Sequence, residues 1–441
     1  METNKTNYKK GVKFYNLDRR PKKTSRFFNW LMHFLSVILI KRKATIEKVN
    51  MEQVEGKPYV LLSNHHDFAD FEVNCLATYP QRVNNIATLE QHYKRAWLLR
   101  QIGLIPKRKF TTDPYLVTQC EIVLNEYKAI LSIYPEARYS PIGTTAIIPD
   151  SYGALVKKLA HPVCVLLHRG NYLRSPAWGW RRKRKVRTFS TLKCILTKEE
   201  VAEKSPEELI EIIRRELTYD EYKYQKENNI IIDEPFRAEG LHHVLYKCPH
   251  CLGENMKSQG AEIFCPDCGK RWEMTTLGEL CAKDGDTEFS HIPSWFEWER
   301  QCVREEIERG EYSFEGQVEV YSFPNTNRFI PLGNAVLRHQ PKSGFTLEGH
   351  YNGEDYKISR PVAGMHGVHI EFDYNNIKPF PCVHISISND SFVCYPDKSK
   401  NIVAKLLFAT EELHKIEMAE REAARAKRRE IREAQSNGSE S

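Results

Sequence analysis

The run Asn64-His65-His66-Asp67-Phe68-Ala69-Asp70 gathers two imidazoles and two carboxylates in one short stretch. A histidine that takes a proton from a hydroxyl needs a carboxylate beside it, which fixes the ring tautomer and stabilises the imidazolium once it forms. His65 and Asp70 are five positions apart, about 140° around a continuous helix. They can meet only if His65 lies in a turn and Asp70 in the first turn of the helix that follows. Two plainer alternatives stand beside this one. Asp67 and Asp70 could simply cap that helix, with the histidines as surface turn residues. A metal-dependent hydrolase built on His65, His66 and Asp70 would need further ligands that the sequence does not offer.

A second constellation is Cys248-Pro249-His250-Cys251, then 13 residues, then Cys265-Pro266-Asp267-Cys268. Two such knuckles supply four thiolates for a tetrahedral zinc and resemble a zinc ribbon. Four sulfur ligands leave no position for a catalytic water, so this zinc is expected to be structural. The surrounding charge is not strongly basic and no aromatics are interleaved, so an interdomain staple or protein-docking module is favoured over nucleic-acid binding. The other cysteines, of 12 in all, scatter singly with no signal-peptide pattern ahead of them. That usage suits a reducing, cytosolic setting.

The histidine turn needs a strand that stops and a helix that starts. "YVLLS" ends abruptly at Ser63 in polar residues, and Asp67 is a plausible N-cap for a helix over 67–78. From Tyr59 to Leu196 the strand-like runs "YVLLS", "AILSIYP", "VCVLLH" and "TFSTLKCIL" alternate with helical stretches at 67–78, 92–101, 115–126 and 151–160, the α/β pattern. A charged helical stretch over 197–229, begun by Ser205-Pro206-Glu207-Glu208, closes this region. Beyond the cysteines, residues 312–396 alternate polar and apolar, with a hairpin turn at Asn352-Gly353, and a helix follows.

Residues 1–200 carry 35 Lys and Arg against 16 Asp and Glu, whereas residues 201–441 carry 30 against 42. A basic first half implies an anionic partner, a phospholipid surface or a nucleic acid. The excess concentrates in 9–26, in "KRK" (41–43) and in "WRRKRKVR" (180–187). Between the first two lies "FFNWLMHFLSVILI" (27–40), 14 apolar-rich residues, too short for a bilayer span of about 20. Its basic flanks and Trp30 suit a helix lying in the membrane interface; the alternative is a helix packed on the core.

"SNHHDFAD" resembles the His-x4-Asp motif of the glycerolipid acyltransferases, the lysophosphatidate acyltransferase-like enzymes. Three further blocks follow in order: "IGLIPKRKF" (102–110), "SIYPEARYS" (132–140) and "AHPVCVLLH" (160–168). The resemblance covers residues 45–200. It implies an α/β, mixed-sheet acyltransferase domain with His65 as general base and Asp70 as its orienter. It implies Arg108 or Lys109, together with Arg138, as ligands of the acceptor's phosphate. Glu136 would orient the acceptor or one of those cations. The acceptor would be a lysophospholipid such as lysophosphatidate or a glycerol phosphate, and the donor an acyl-CoA or an acyl carrier protein thioester. Location on the cytoplasmic face of a membrane, peripheral or monotopic, follows from the reaction. In the third block the family usually has glycine after the glutamate, where this chain has Ala137, and places its arginine one residue later than Arg138.

The expected organisation is a basic, interfacial segment (1–44), the acyltransferase-like domain (45–245), a zinc ribbon (246–275) and a helical linker (276–311). An antiparallel β domain with a closing helix (312–415) and a charged tail (416–441) complete it. The β domain is similar to a pleckstrin-homology-like fold in strand count and helix order alone; it and the ribbon are the places for a protein partner. Its histidines His339, His350, His366, His369 and His384 share no ligand spacing and read as core or surface residues. The competing class is a zinc-ribbon protein that binds nucleic acid or protein and carries a degenerate enzyme domain.

Overall fold

The computed structural model describes residues 12–179, 182–374, 376–397 and 401–437, with side chains to residue 428. Residues 1–11 of the basic segment, Trp180 and Arg181 of the basic loop and the last four residues of the tail lie outside the described residues.

A mixed seven-stranded sheet carries the first half of the chain. Its strands are β1 (Ala44–Val49), β2 (Val60–Ser63), β3 (Val83–Thr88), β4 (Leu104–Lys107), β5 (Ile130–Ile133), β6 (Val163–Arg169) and β7 (Thr188–Leu196), in the order β1-β7-β6-β2-β5-β3-β4. Strands β6, β2, β5, β3 and β4 run parallel, and only β7 is antiparallel to its neighbour β6. All four residues of β2 are buried. That is why this strand reads as an unbroken apolar run, since a central parallel strand is covered on both faces. The edge-ward β7 alternates buried and half-buried residues instead. The parallel strands end on one side, so the turns after β2, β3, β4, β5 and β6 gather along a single edge, the usual place for chemistry in such sheets.

Helix α1 (Arg26–Leu39) starts where Ser25 Oγ accepts the Phe28 N–H, and packs on α2 (Ala69–Thr78). Ser36 and the following Ile40 are buried, Ile40 in a small cluster with Ala69 and Val73. The opposite face stays open: Phe27, Trp30, Phe34 and Ile38, spaced to share one side of a helix, are all exposed, as is Trp97 on α3 (Ala96–Gln101). The helix is therefore packed on the core by one face only. No helix among the described residues is long and apolar enough to cross a membrane. Past the end of α1, the N-terminal end of β1 pairs with that of β7, Ala44 against Thr188, and Thr188 N donates to Lys43 O. This joins the basic runs 41–43 and 182–187, far apart in sequence, into one region. Arg184 of that loop is buried, donating to the carbonyls of Leu173 and Arg237.

The second sheet is small and antiparallel: β8 (Lys257–Gln259), β9 (Glu262–Phe264), β10 (Arg271–Met274) and β11 (Leu280–Ala282). The stretch expected to be a helical linker (276–311) holds a helix over Ile292–Glu308, preceded by the short strand β11 paired to β10. Three residues are too few for a strand to leave a periodic signal in sequence. The third sheet is antiparallel and seven-stranded: β12 (Phe314–Ser322), β13 (Ile330–Gln340), β14 (Gly344–Tyr351), β15 (Glu354–Arg360), β16 (His369–Glu371), β17 (Cys382–Ser386) and β18 (Ser391–Pro396). Its order is β15-β14-β13-β12-β18-β17-β16, and the helix Ile402–Asn437 closes the chain. Asn352 and Gly353 both have positive φ between Tyr351 and Glu354, the two-residue turn expected there.

Arg108 ties the first sheet to the third. Its guanidinium is wholly buried and donates to the carbonyls of Phe323, Pro324 and Asn389 and to Ser391 Oγ at 2.9–3.0 Å. Of the two residues expected as alternatives for a phosphate ligand, Arg108 or Lys109, Arg108 has both terminal nitrogens engaged by these acceptors and does not line the cavity described below, whereas Lys109 does. Arg108→Met is expected to lower unfolding free energy by about 3 kcal/mol, because it strands buried acceptors. Urea denaturation checks this, and an unchanged midpoint contradicts it.

Candidate active site

His65 leaves the end of β2 in a turn, and Asp70 lies in the first turn of α2. Their side chains meet, with His65 Nδ1 2.9 Å from Asp70 Oδ2. Asp70 is fully buried and His65 is 21% exposed, so the pair is dry on the carboxylate side and open on the imidazole side. The same carboxylate oxygen accepts the backbone N–H groups of His66 (2.6 Å) and Asp67 (3.1 Å), and Oδ1 accepts Asn171 Nδ2 (2.6 Å) from the turn after β6. Burial alone would raise the Asp70 carboxyl, but His168 and the hydrogen bond from His65 hold it well below the usual carboxylate range. An ionised Asp70 can only accept. His65 must therefore carry its proton on Nδ1, which leaves Nε2 as the basic atom.

The neighbouring residues take other roles. His66 is buried with Nε2 2.8 Å from Asn64 Nδ2, and burial pushes its pKa down to about 3. Asn64 also exchanges both hydrogen bonds with the His168 backbone, fastening the end of β2 to β6. Asp67 does act at the helix start, accepting the Ala69 N–H over 2.7 Å, and burial beside Asp70 raises its carboxyl to about 7. His65 is held from its other sides by Tyr134, stacked at 4.0 Å, and by Tyr139 at 4.4 Å, while its backbone carbonyl accepts the Ser140 N–H. Both tyrosines come from the turn after β5.

His65 opens on a cavity of about 270 Å³. One part of its wall is apolar, with Phe68, Phe71, Ile86, Leu116, Ile133 and Leu155; another carries Lys109 and Arg138. Lys109 Nζ lies 2.7 Å from His369 Nε2 and 3.0 Å from Nδ1, and the same Nε2 lies 2.8 Å from a Glu371 oxygen, so the three side chains cluster between the first sheet and β16. Arg138 is buried, with Nη2 2.5 Å from Oε1 of Glu411 on the closing helix. Glu411 is shared with Arg300.

Glu136, expected to orient the acceptor or a cation, does not line the cavity. It is buried the other way, accepting the Tyr219 hydroxyl at 3.2 Å and the Ala146 N–H at 3.3 Å, and burial raises its carboxyl to about 8. It braces the turn that carries Arg138. Ala137 sits between them at φ +54°, the left-handed conformation that glycine adopts more readily, at the position where the resemblance has glycine. Gly103, at φ +78°, could carry no side chain: an added Cβ would lie 1.9 Å from Thr24 Oγ1.

Asn64, Asn171, Tyr134 and Tyr139 hold the pair, yet none was singled out from sequence. Asn64 stood inside the motif, but Asn171 reaches Asp70 only through the strand order. His369 and His384, read as core or surface residues, are buried and also line the cavity, as does Glu371, which no sequence signal marked.

The cysteines form a second cluster. The ligand atoms of Cys248, Cys251, Cys265 and Cys268 all lie within 4.8 Å of one another, with sulfur separations of 3.8 Å (Cys248–Cys268) and 3.6 Å (Cys251–Cys265). Tetrahedral bonds of about 2.3 Å put sulfurs about 3.8 Å apart, so the set could hold a metal such as zinc. The knuckles are built alike: Leu252 N donates to Cys248 O and Gly269 N to Cys265 O, and both residues have positive φ one place after the second cysteine.

No family model matches the sequence, and no curated protein matches it. Among solved structures the chain is similar to the crystal structure of the 1-acyl-sn-glycerophosphate (LPA) acyltransferase PlsC from Thermotoga maritima, at 15% identity with a TM-score of 0.31. That likeness covers 44% of this chain and 88% of the other.

Metal content is the direct check on the cysteine cluster. Protein purified without chelator should carry about one zinc per chain, and Cys265→Ser should lose it and lower the melting temperature, since metal binding contributes to folding. A Cys265→Ser protein as stable as wild type would contradict a structural metal.

Proposed function

We propose that this chain is an acyltransferase that moves a fatty acyl group from a thioester to the hydroxyl of a lysophospholipid or glycerol phosphate at a membrane surface. The observation that carries the reading is the His65–Asp70 pair, dry at the carboxylate and open at the imidazole, at the junction of an apolar wall and two cations. The four ordered sequence blocks support it as well.

In this reading His65 Nε2 takes the proton of the acceptor hydroxyl as its oxygen attacks the thioester carbonyl. Asp70 keeps the ring in the required tautomer and stabilises the imidazolium. The tetrahedral intermediate collapses with cleavage of the carbon–sulfur bond, and the imidazolium returns its proton to the departing thiolate. Lys109 and Arg138 fix the acceptor's phosphate, and the apolar wall takes a hydrocarbon chain. A zinc held by the four cysteines is structural. The donor is an acyl-CoA or an acyl carrier protein thioester, and the location is the cytoplasmic face of a membrane. There the open face of α1 supplies apolar contact, and the joined basic runs supply attraction to anionic lipid.

His65→Ala is expected to cut kcat/KM by about 10² to 10⁴ without loss of fold, the usual effect of removing a general base. His66→Ala should instead lower stability while the folded fraction stays active. Transfer of a radiolabelled acyl group, normalised to folded protein, checks both; the reverse order contradicts the assignment. A Trp30→Ser, Ile38→Ser double variant should float poorly with anionic vesicles. Flotation equal to wild type would remove α1 as the membrane contact.

A further inference from the structure

The polar end of the cavity is closed by the third sheet: His369, Glu371, Tyr374 and His384 face Glu90, from the turn after β3, and Lys109, from the turn after β4. This wall brings carboxylates to where the resemblance implies only phosphate-binding cations. Lys109 is linked through His369 to Glu371, and Arg138 is held by Glu411. Glu90 is buried and accepts from Thr88 Oγ1. Burial alone would raise its carboxyl, but His384, the Thr88 hydroxyl and Lys109 bring it down to about 2. Of the other basic residues on the lining, Arg95 is exposed to solvent, and Lys107 keeps its charge with Nζ turned to Thr111 O, 2.9 Å away.

A phosphate monoester carries about −1.5 to −2 at neutral pH and calls for surplus positive charge around it. Here Lys109 and Arg138 are already faced by Glu371 and Glu411, Lys109 opposing the rise that burial gives the Glu371 carboxyl, so a head with two full negative charges would bring uncompensated charge into a buried site, which is costly. A head that is balanced in itself, a phosphodiester followed by an ammonium, matches the lining group for group. The Tyr374 ring also lines this end, and an aromatic face attracts an ammonium.

We propose that the third sheet completes an acceptor subsite for a zwitterionic lysophospholipid head, in which Glu371 and Glu90 receive the ammonium while Lys109 and Arg138 receive the phosphate. This rests on the acyl-transfer reading and narrows its acceptor. The wall residues of the third sheet lie 260 or more positions beyond Lys109, so the subsite needs both parts of the chain.

The test offers the full-length protein lysophosphatidylethanolamine and lysophosphatidate of one short chain length, with acyl-CoA and acyl carrier protein thioesters each supplied. Binding of both lipids to the His65→Ala variant is measured in parallel by equilibrium dialysis. The expected result is a higher kcat/KM for the ethanolamine lipid. Glu371→Gln should raise KM for that lipid about tenfold, the loss of one charge-assisted hydrogen bond, and so shift the ratio of the two kcat/KM values toward lysophosphatidate. Should Glu371→Gln not fold, Glu90→Gln is expected to show the same split. A preference for lysophosphatidate that both variants leave intact overturns the proposal. If nothing is transferred but the ethanolamine lipid still binds, and binds more weakly with Glu371→Gln, the subsite stands and the transfer reading fails. Binding of neither lipid overturns the subsite.

Discussion

One buried carboxylate organises the site. Asp70 collects a ring N–H, two backbone N–H groups and a side-chain amide, from the turn after β2 and the turn after β6. An ionised carboxylate in a dry place is tolerated only if such donors surround it. The requirement therefore runs outward. The end of β2 must turn sharply, α2 must begin within a few residues, and β6 must lie beside β2 so that Asn171 can arrive. Asn64, bonded to the backbone of His168, holds that strand pair together where the turn begins. Removing any one donor leaves the buried charge less compensated, and that cost falls on the whole arrangement.

A second constraint is the junction between the first and third sheets. Three consecutive basic residues at the end of β4 divide the work: Lys107 bonds across the turn to Thr111 O, Arg108 docks the third sheet, and Lys109 enters the cavity. Arg108 keeps its charge but spends its donors on neutral acceptors, and so holds the end of β12 and the turn from β17 into β18 against the first sheet. Arg138 and Glu411 bind the closing helix to the same wall. The site is thus assembled from both ends of the chain.

Much of this was legible in the sequence. The apolar run stopping at Ser63, the five-residue spacing of His65 and Asp70, and the Cys-x-x-Cys knuckles each report a local constraint, and local constraints leave local signals. The strands β2, β5, β6 and β7, the helix start at Ser205 and the Asn352-Gly353 turn lie where they were expected. What stayed hidden depends on long-range packing. The fate of Arg108 and the inward turn of Glu136 are set by neighbours far away in sequence. The same is true of the arrival of Glu371 and His369 in the cavity, and spacing carries no information about it. Strands β1 and β3 were missed because "ATIEKV" and "VNNIAT" mix polar and apolar residues without a clean period.

The central claim is that an ionised Asp70 fixes the His65 tautomer and leaves Nε2 free toward the cavity. Nitrogen-15 NMR of histidine-labelled protein tests it most directly, with the His65 signals identified by their loss in a His65→Gln variant. The account predicts a neutral ring protonated on Nδ1 and bare on Nε2, a preference that disappears in Asp70→Asn. A ring protonated on Nε2, or a tautomer indifferent to Asp70→Asn, would contradict it.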